Sequence, residues 1–107
     1  MAKFQGIAMT LNELRYIVAV ARERHFGRAA EACYISQPTL SVAVRKLEDE
    51  LGVALFERAP SEVTVTPVGR RIVEQAQRVL EEAATIKRLA SQGQDELAGM
   101  LRLGVIY

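Results

Sequence analysis

Three observations predict a mainly α-helical domain that carries one β-hairpin and is followed by a long helix. Apolar residues recur at three- and four-residue spacing through separate stretches ahead of Gly52. Two short β-prone runs follow, parted by a Pro-containing gap. A heptad-like pattern then starts at Pro67 and meets no breaker for about 26 residues.

The overall numbers bound the problem. A chain of 107 residues, 50% hydrophobic and 25% charged, has room for one small globular domain and an attached element. No apolar run approaches the roughly 20 residues of a membrane span, so a cytoplasmic protein with no membrane partner is expected. The single cysteine, Cys33, excludes an internal disulfide framework, and with the lone His25 it cannot complete a four-ligand zinc site. Net charge is +1, and Thr10–Pro67 alone holds seven Lys/Arg against eight Asp/Glu, or −1. Any polyanion partner would have to be met by the placement of charge, not its sum.

Met1–Met9 has no periodicity and is expected to be an extension ahead of the first domain, residues 10–66. Thr10-Leu11-Asn12-Glu13 fits a capping box, with Met9 and Leu14 at the hydrophobic-staple positions. Leu14, Ile17, Val18 and Ala21 give a first amphipathic helix ending near Arg24. Gly27–Cys33 reads as a short Ala-rich second helix and Tyr34-Ile35-Ser36 as a turn. Ser36 caps a third helix, Pro38 is tolerated in its first turn, and Gly52 stops it. Leu40, Val44, Leu47 and Leu51 share one side of that helix. Pro38, Ser41, Val42, Arg45, Lys46 and Asp49 point the other way, while Glu48-Asp49-Glu50 reads as a solvated helix end.

Ala54–Arg58 and Val63–Thr66 are the expected hairpin strands, joined by the four-residue loop Ala59-Pro60-Ser61-Glu62. Thr66-Pro67 opens the long helix, residues 67–92, or ~39 Å. Residues 93–107 read as a hinge and a first strand, from Leu101 to Tyr107, that finds no partner here. A regulatory domain cut short is therefore expected beyond it.

Three helices, a tight turn between the second and third, and a hairpin make a winged helix-turn-helix arrangement, whose third helix fits a DNA major groove. Its first turn offers Gln37, Thr39 and Ser41 for base edges or phosphates. Gln37 can pair with adenine N6 and N7, Arg45 can reach guanine or phosphate, and Pro38 and Val42 present surfaces suited to a thymine methyl. The competing account is a surface helix of an unrelated bundle. The long helix shows Ile72, Ala76, Val79, Ala83, Ile86 and Ala90 at alternating spacings of four and three, widened by Val73, Leu80 and Leu89. That is a dimer seam, against the alternative of a helix that merely covers its own domain.

The ordered set Phe26-Gly27-Arg28-Ala29-Ala30-Glu31, Ser36-Gln37-Pro38-Thr39-Leu40-Ser41, Lys46-Leu47-Glu48-Asp49-Glu50-Leu51-Gly52, Leu55-Phe56-Glu57-Arg58 and Thr66-Pro67-Val68-Gly69 resembles the bacterial LysR-type transcription regulators. Leu14-Arg15-Tyr16 and His25-Phe26-Gly27-Arg28 are most similar to the family's peroxide-responsive members. The resemblance implies that Gln37, Pro38, Thr39, Ser41 and Arg45 face DNA, with Arg58 and Thr66 near the DNA backbone. Arg28, Ser36, Val42 and Lys46 complete the expected DNA-binding set, although Val42 stands where many relatives place a polar or basic residue. It also implies a homodimer through Ile72, Ala76, Val79, Leu80, Ala83, Ile86, Leu89 and Ala90, a tetramer in the full-length protein, and no cofactor, metal or catalytic group. Reactive cysteines of such sensors belong to the downstream domain, so Cys33 is expected to be a small buried hydrophobe. His25 is expected to be a cap or a surface contact. The loop Ala59–Glu62 departs from the pattern because it has no basic residue for a minor groove, and Glu62 is expected to turn away or to repel. A dimerisation or protein-interaction module that binds no DNA is the remaining alternative, and an enzyme a distant third.

Overall fold

The computed structural model describes residues 8–102, ordered as α1 (Leu11–Glu23), α2 (Phe26–Ala32), α3 (Gln37–Leu51), β1 (Phe56–Arg58), β2 (Val63–Val65) and α4 (Pro67–Arg102). Each start follows from its local chemistry. Thr10 Oγ1 accepts from Glu13 N at 3.2 Å, and Glu13 Oε1 accepts from Thr10 N at 2.8 Å, closing the capping box. His25 Nδ1 accepts from Arg28 N at 3.0 Å and so caps α2, the bland role expected of it. Ser36 Oγ accepts from Thr39 N at 3.3 Å to start α3.

The stops are equally local. Gly52 ends α3 with φ of 73°, a left-handed conformation that favours glycine. Two other ends use that conformation without glycine: Arg24 after α1, with φ 54°, and Tyr34 after α2, with φ 59°. Around Tyr34 the bonds Tyr34 N to Glu31 O and Ile35 N to Ala30 O, both 3.1 Å, form a Schellman motif.

The core lies among α1, α2, α3, the hairpin and the first turns of α4. Ile17, Val20, Leu40, Val44, Leu47 and Leu55 are fully buried there. Burying each such side chain contributes about 1.5–3 kcal/mol relative to exposure. Cys33 is half-buried against this core, as an isolated small hydrophobe should be. Phe26 and Phe56 meet edge-to-face at 6.4 Å and 80°, tying the start of α2 to the hairpin.

The hairpin is antiparallel, with Phe56 opposite Val65 and Arg58 opposite Val63. The strands end at Arg58 and resume at Val63, so the four residues Ala59–Glu62 join them as expected. Ala59 N donates to Glu62 O at 2.9 Å and Glu62 N to Ala59 O at 3.3 Å, closing the loop at its base. The strands are shorter than expected, because Leu55 belongs to the core and Thr66 to the next cap.

Helix α4 begins hard against β1. Thr66 Oγ1 accepts from Gly69 N at 2.9 Å and donates to Ala54 O at 2.7 Å. A Cβ at Gly69 would lie 2.2 Å from Leu55 O, so only glycine allows this approach. The helix then runs on to Arg102, where an end near Gln92 was expected. Gln92-Gly93 supplies a weak stop: a single glycine costs about 1 kcal/mol in a helix without ending it. Leu101 and Arg102 are helical, and the rest of the expected terminal strand, like Met1–Ile7, lies outside the described residues.

Candidate nucleic-acid interface

The leading turn of α3 is an exposed polar surface. Gln37, Pro38 and Thr39 are all exposed, and Val42 is 69% exposed one turn on. Leu40, Val44 and Leu47 are buried on the opposite side and fix which way that surface faces. The expected residues do not all behave alike. Ser41 is half-buried instead of outward, because it flanks Leu40 and Val44 at the edge of the buried stripe. Ser36 and Thr39 share a hydroxyl–hydroxyl bond of 2.8 Å, so both are partly occupied by the cap.

Arg45 and Lys46 are exposed on the next turn. Lys46 Nζ lies 4.0 Å from Oε2 of Glu13, a buried acid that also closes the α1 capping box. Arg45 borders a shallow groove with Glu48, Asp49 and Ala54. The start of α2 sits beside the leading turn of α3. A Cβ at Gly27 would lie 3.5 Å from Gln37 Oε1 and 2.8 Å from His25 Cε1. Arg28, at this edge, is drawn back to Glu23, with Nη2 donating to Glu23 O at 3.1 Å and Nε 3.8 Å from Oε1.

Of the acids at the end of α3, Glu48 departs from the expected solvated helix end, whereas Asp49 is exposed as expected. Glu48 Oε2 accepts from Leu55 N at 2.8 Å and Phe56 N at 3.2 Å, anchoring β1 to α3. Its other oxygen lies 3.7 Å from Arg58 Nη2, and Arg58 stacks 4.7 Å above the Phe26 ring. Arg58 is thus engaged inside the domain, and the Thr66 hydroxyl is engaged in the α4 cap. Sequence reading missed Glu48 because nothing local distinguishes it from Asp49. Only the approach of β1 does. In the wing loop Glu62 Oε2 lies 3.9 Å from Arg24 Nη1, an exposed ion pair.

The expected seam on α4 divides in two. Ala76 and the flanking Val73 are buried in the domain's own core, and Ile72, Val79 and Leu80 are partly buried against it. Ala83 is half-buried, whereas Ile86, Leu89 and Ala90 are exposed, Ile86 at 70%. The same alternation of four and three continues through Gly93, Leu97 and Met100, with Leu97 57% and Met100 46% exposed. The expectation of a hinge from residue 93 hides their place on the stripe, which the continuous helix reveals.

Residues Leu11–Arg70 match the family model described as a bacterial regulatory helix-turn-helix protein, lysR family. The chain belongs to the LysR family. This LysR-family chain is similar to a hydrogen peroxide-inducible genes activator of Pectobacterium carotovorum subsp. carotovorum, at 50% identity over 92% of this chain and 32% of that protein. Among solved structures it is similar to a full-length OxyR variant from Pseudomonas aeruginosa, at 67% identity and a TM-score of 0.77, over 79% of this chain and 29% of that one. It is also similar to the BenM DNA-binding domain solved with benA site 1 DNA, at 37% identity and a TM-score of 0.75, over 78% of this chain and 94% of that one. The winged helix-turn-helix fold with a long following helix is common to these LysR-type domains. The chain spans about a third of the length of the curated relatives it matches. Those relatives are transcription regulators. No helix among the described residues is long and apolar enough to cross a membrane.

Proposed function

We propose that this LysR-family chain binds double-stranded DNA sequence-specifically, as a homodimer on an inverted-repeat promoter site, and so regulates transcription in the cytoplasm. Residues 10–66 read the DNA and α4 pairs the two copies. The observation that carries the reading is the leading turn of α3: Gln37, Pro38 and Thr39 stand exposed without an acid, while Glu48 is turned inward to hold the hairpin. A major groove admits such a helix end, and its free N–H groups and dipole favour phosphate. The small net charge of the domain is no obstacle when the leading turn of α3 itself holds no acid and Glu48 is engaged by the hairpin. Similarity to OxyR supports a place in a peroxide-responsive regulator that is tetrameric at full length. It supports a role as the DNA-reading portion and not as an enzyme.

Titration of a labelled promoter fragment at several salt concentrations tests this. Log affinity should fall with log salt by about 0.9 for each phosphate neutralised. Gln37→Ala should cost about 1–3 kcal/mol and relax discrimination at one base position of each half-site. Absent or salt-independent binding would favour the protein-interaction module instead.

A further inference from the structure

We propose that Arg24 is a DNA-phosphate contact that stands in for the basic residue missing from the wing tip. The inference rests on the DNA-binding reading above.

Arg24 occupies a backbone position that glycine would fill with less strain, at φ 54° and ψ 29°. Helix closure therefore does not account for an arginine there. Its ion pair does not account for it either. The guanidinium and the Glu62 carboxylate are 3.9 Å apart, with side chains 61% and 54% exposed, the kind of surface pair that water and salt largely screen.

Position gives the reason. Arg24 O accepts from Val63 N at 3.3 Å, so the end of α1 is docked on the wing. His25 follows it directly, packs over Gly27, and Gly27 in turn lies beside the Gln37 side chain. Gln37, Gly27, Arg24 and Glu62 thus form one continuous edge from the leading turn of α3 to the wing tip. A strand whose bases meet Gln37 runs its phosphates along that edge. The loop Ala59–Glu62 offers them no cation. Arg28 is held on Glu23 by two contacts, whereas among the described residues the Arg24 guanidinium has only the long pair with Glu62. A phosphate can accept from the guanidinium with two oxygens at shorter range than Glu62 does, and displaces that carboxylate.

The decisive variant is Arg24→Gly, because glycine keeps the left-handed backbone and preserves the fold. Its melting temperature should equal or exceed that of the unaltered domain. Its affinity for the promoter fragment should nonetheless drop about eightfold near 0.1 M salt for each protomer engaged, and the salt slope should shrink by about 0.9 per protomer. Glu62→Gln should tighten binding by freeing Arg24, and should gain less in the Arg24→Gly background. Unchanged affinity and slope in Arg24→Gly, with the unaltered domain binding normally, overturns the assignment of Arg24 alone. Failure of the unaltered domain to bind overturns the DNA-reading function and this contact with it.

Discussion

The two halves of α4 carry the same apolar rhythm and put it to different uses. In the near half Gly69, Val73 and Ala76 are buried against the domain's own core, with Gly69 close against the Leu55 backbone just ahead of β1. In the far half Ile86, Leu97 and Met100 continue that alternation, with Leu89 beside it, and all four stand 46–70% exposed. A helix of 36 residues spans ~54 Å, far more than so small a core can cover. Periodicity shows that a stripe will be buried without saying by which molecule. The near half answers to the fold, and the far half is suited to a second copy of itself.

The sharpest way to break this comparison is Ile86→Asp. It should leave the monomer's stability almost unchanged, since the side chain touches no core, while abolishing the dimer. DNA affinity should then fall about 10²–10⁴-fold as the second half-site is lost. A dimer persisting in sedimentation would mean that the exposed stripe is not the contact.

The near half should respond in the opposite sense. Gly69→Ala places a methyl group where Leu55 O stands, and should cost about 1–3 kcal/mol in urea unfolding. Subunit association, measured where the variant is fully folded, should be unaffected. Stability equal to that of the unaltered domain would show that α4 can shift off β1 freely.

The smallest effect sharpens the separation from the other side. Tyr34 is 93% exposed in left-handed backbone at the end of α2. Tyr34→Gly should stabilise the domain by about 1 kcal/mol or less in thermal unfolding. The dimerisation constant should not move, because the strain relieved lies far from α4's exposed stripe.

What the sequence determined by itself is what short-range chemistry controls. Thr10, Ser36 and Gly52 mark helix ends because a cap needs only a side chain and a few neighbouring N–H or C=O groups. The outward face of α3 was legible for Gln37, Pro38, Thr39 and Val42 because helical spacing orients them whatever packs behind. Ser41, at the margin of that face, was not, since burial at an edge depends on the neighbouring helix. Tertiary structure alone decided which groups separated in sequence would meet. It gave Glu48 to the β1 backbone, Ala76 to the core rather than the exposed stripe, and Glu62 to Arg24. These outcomes depend on how closely distant segments approach, and Gly69 against Leu55 O sets one such approach. Residue types specify what each group can bond; only the assembled helices and hairpin bring a particular partner within reach.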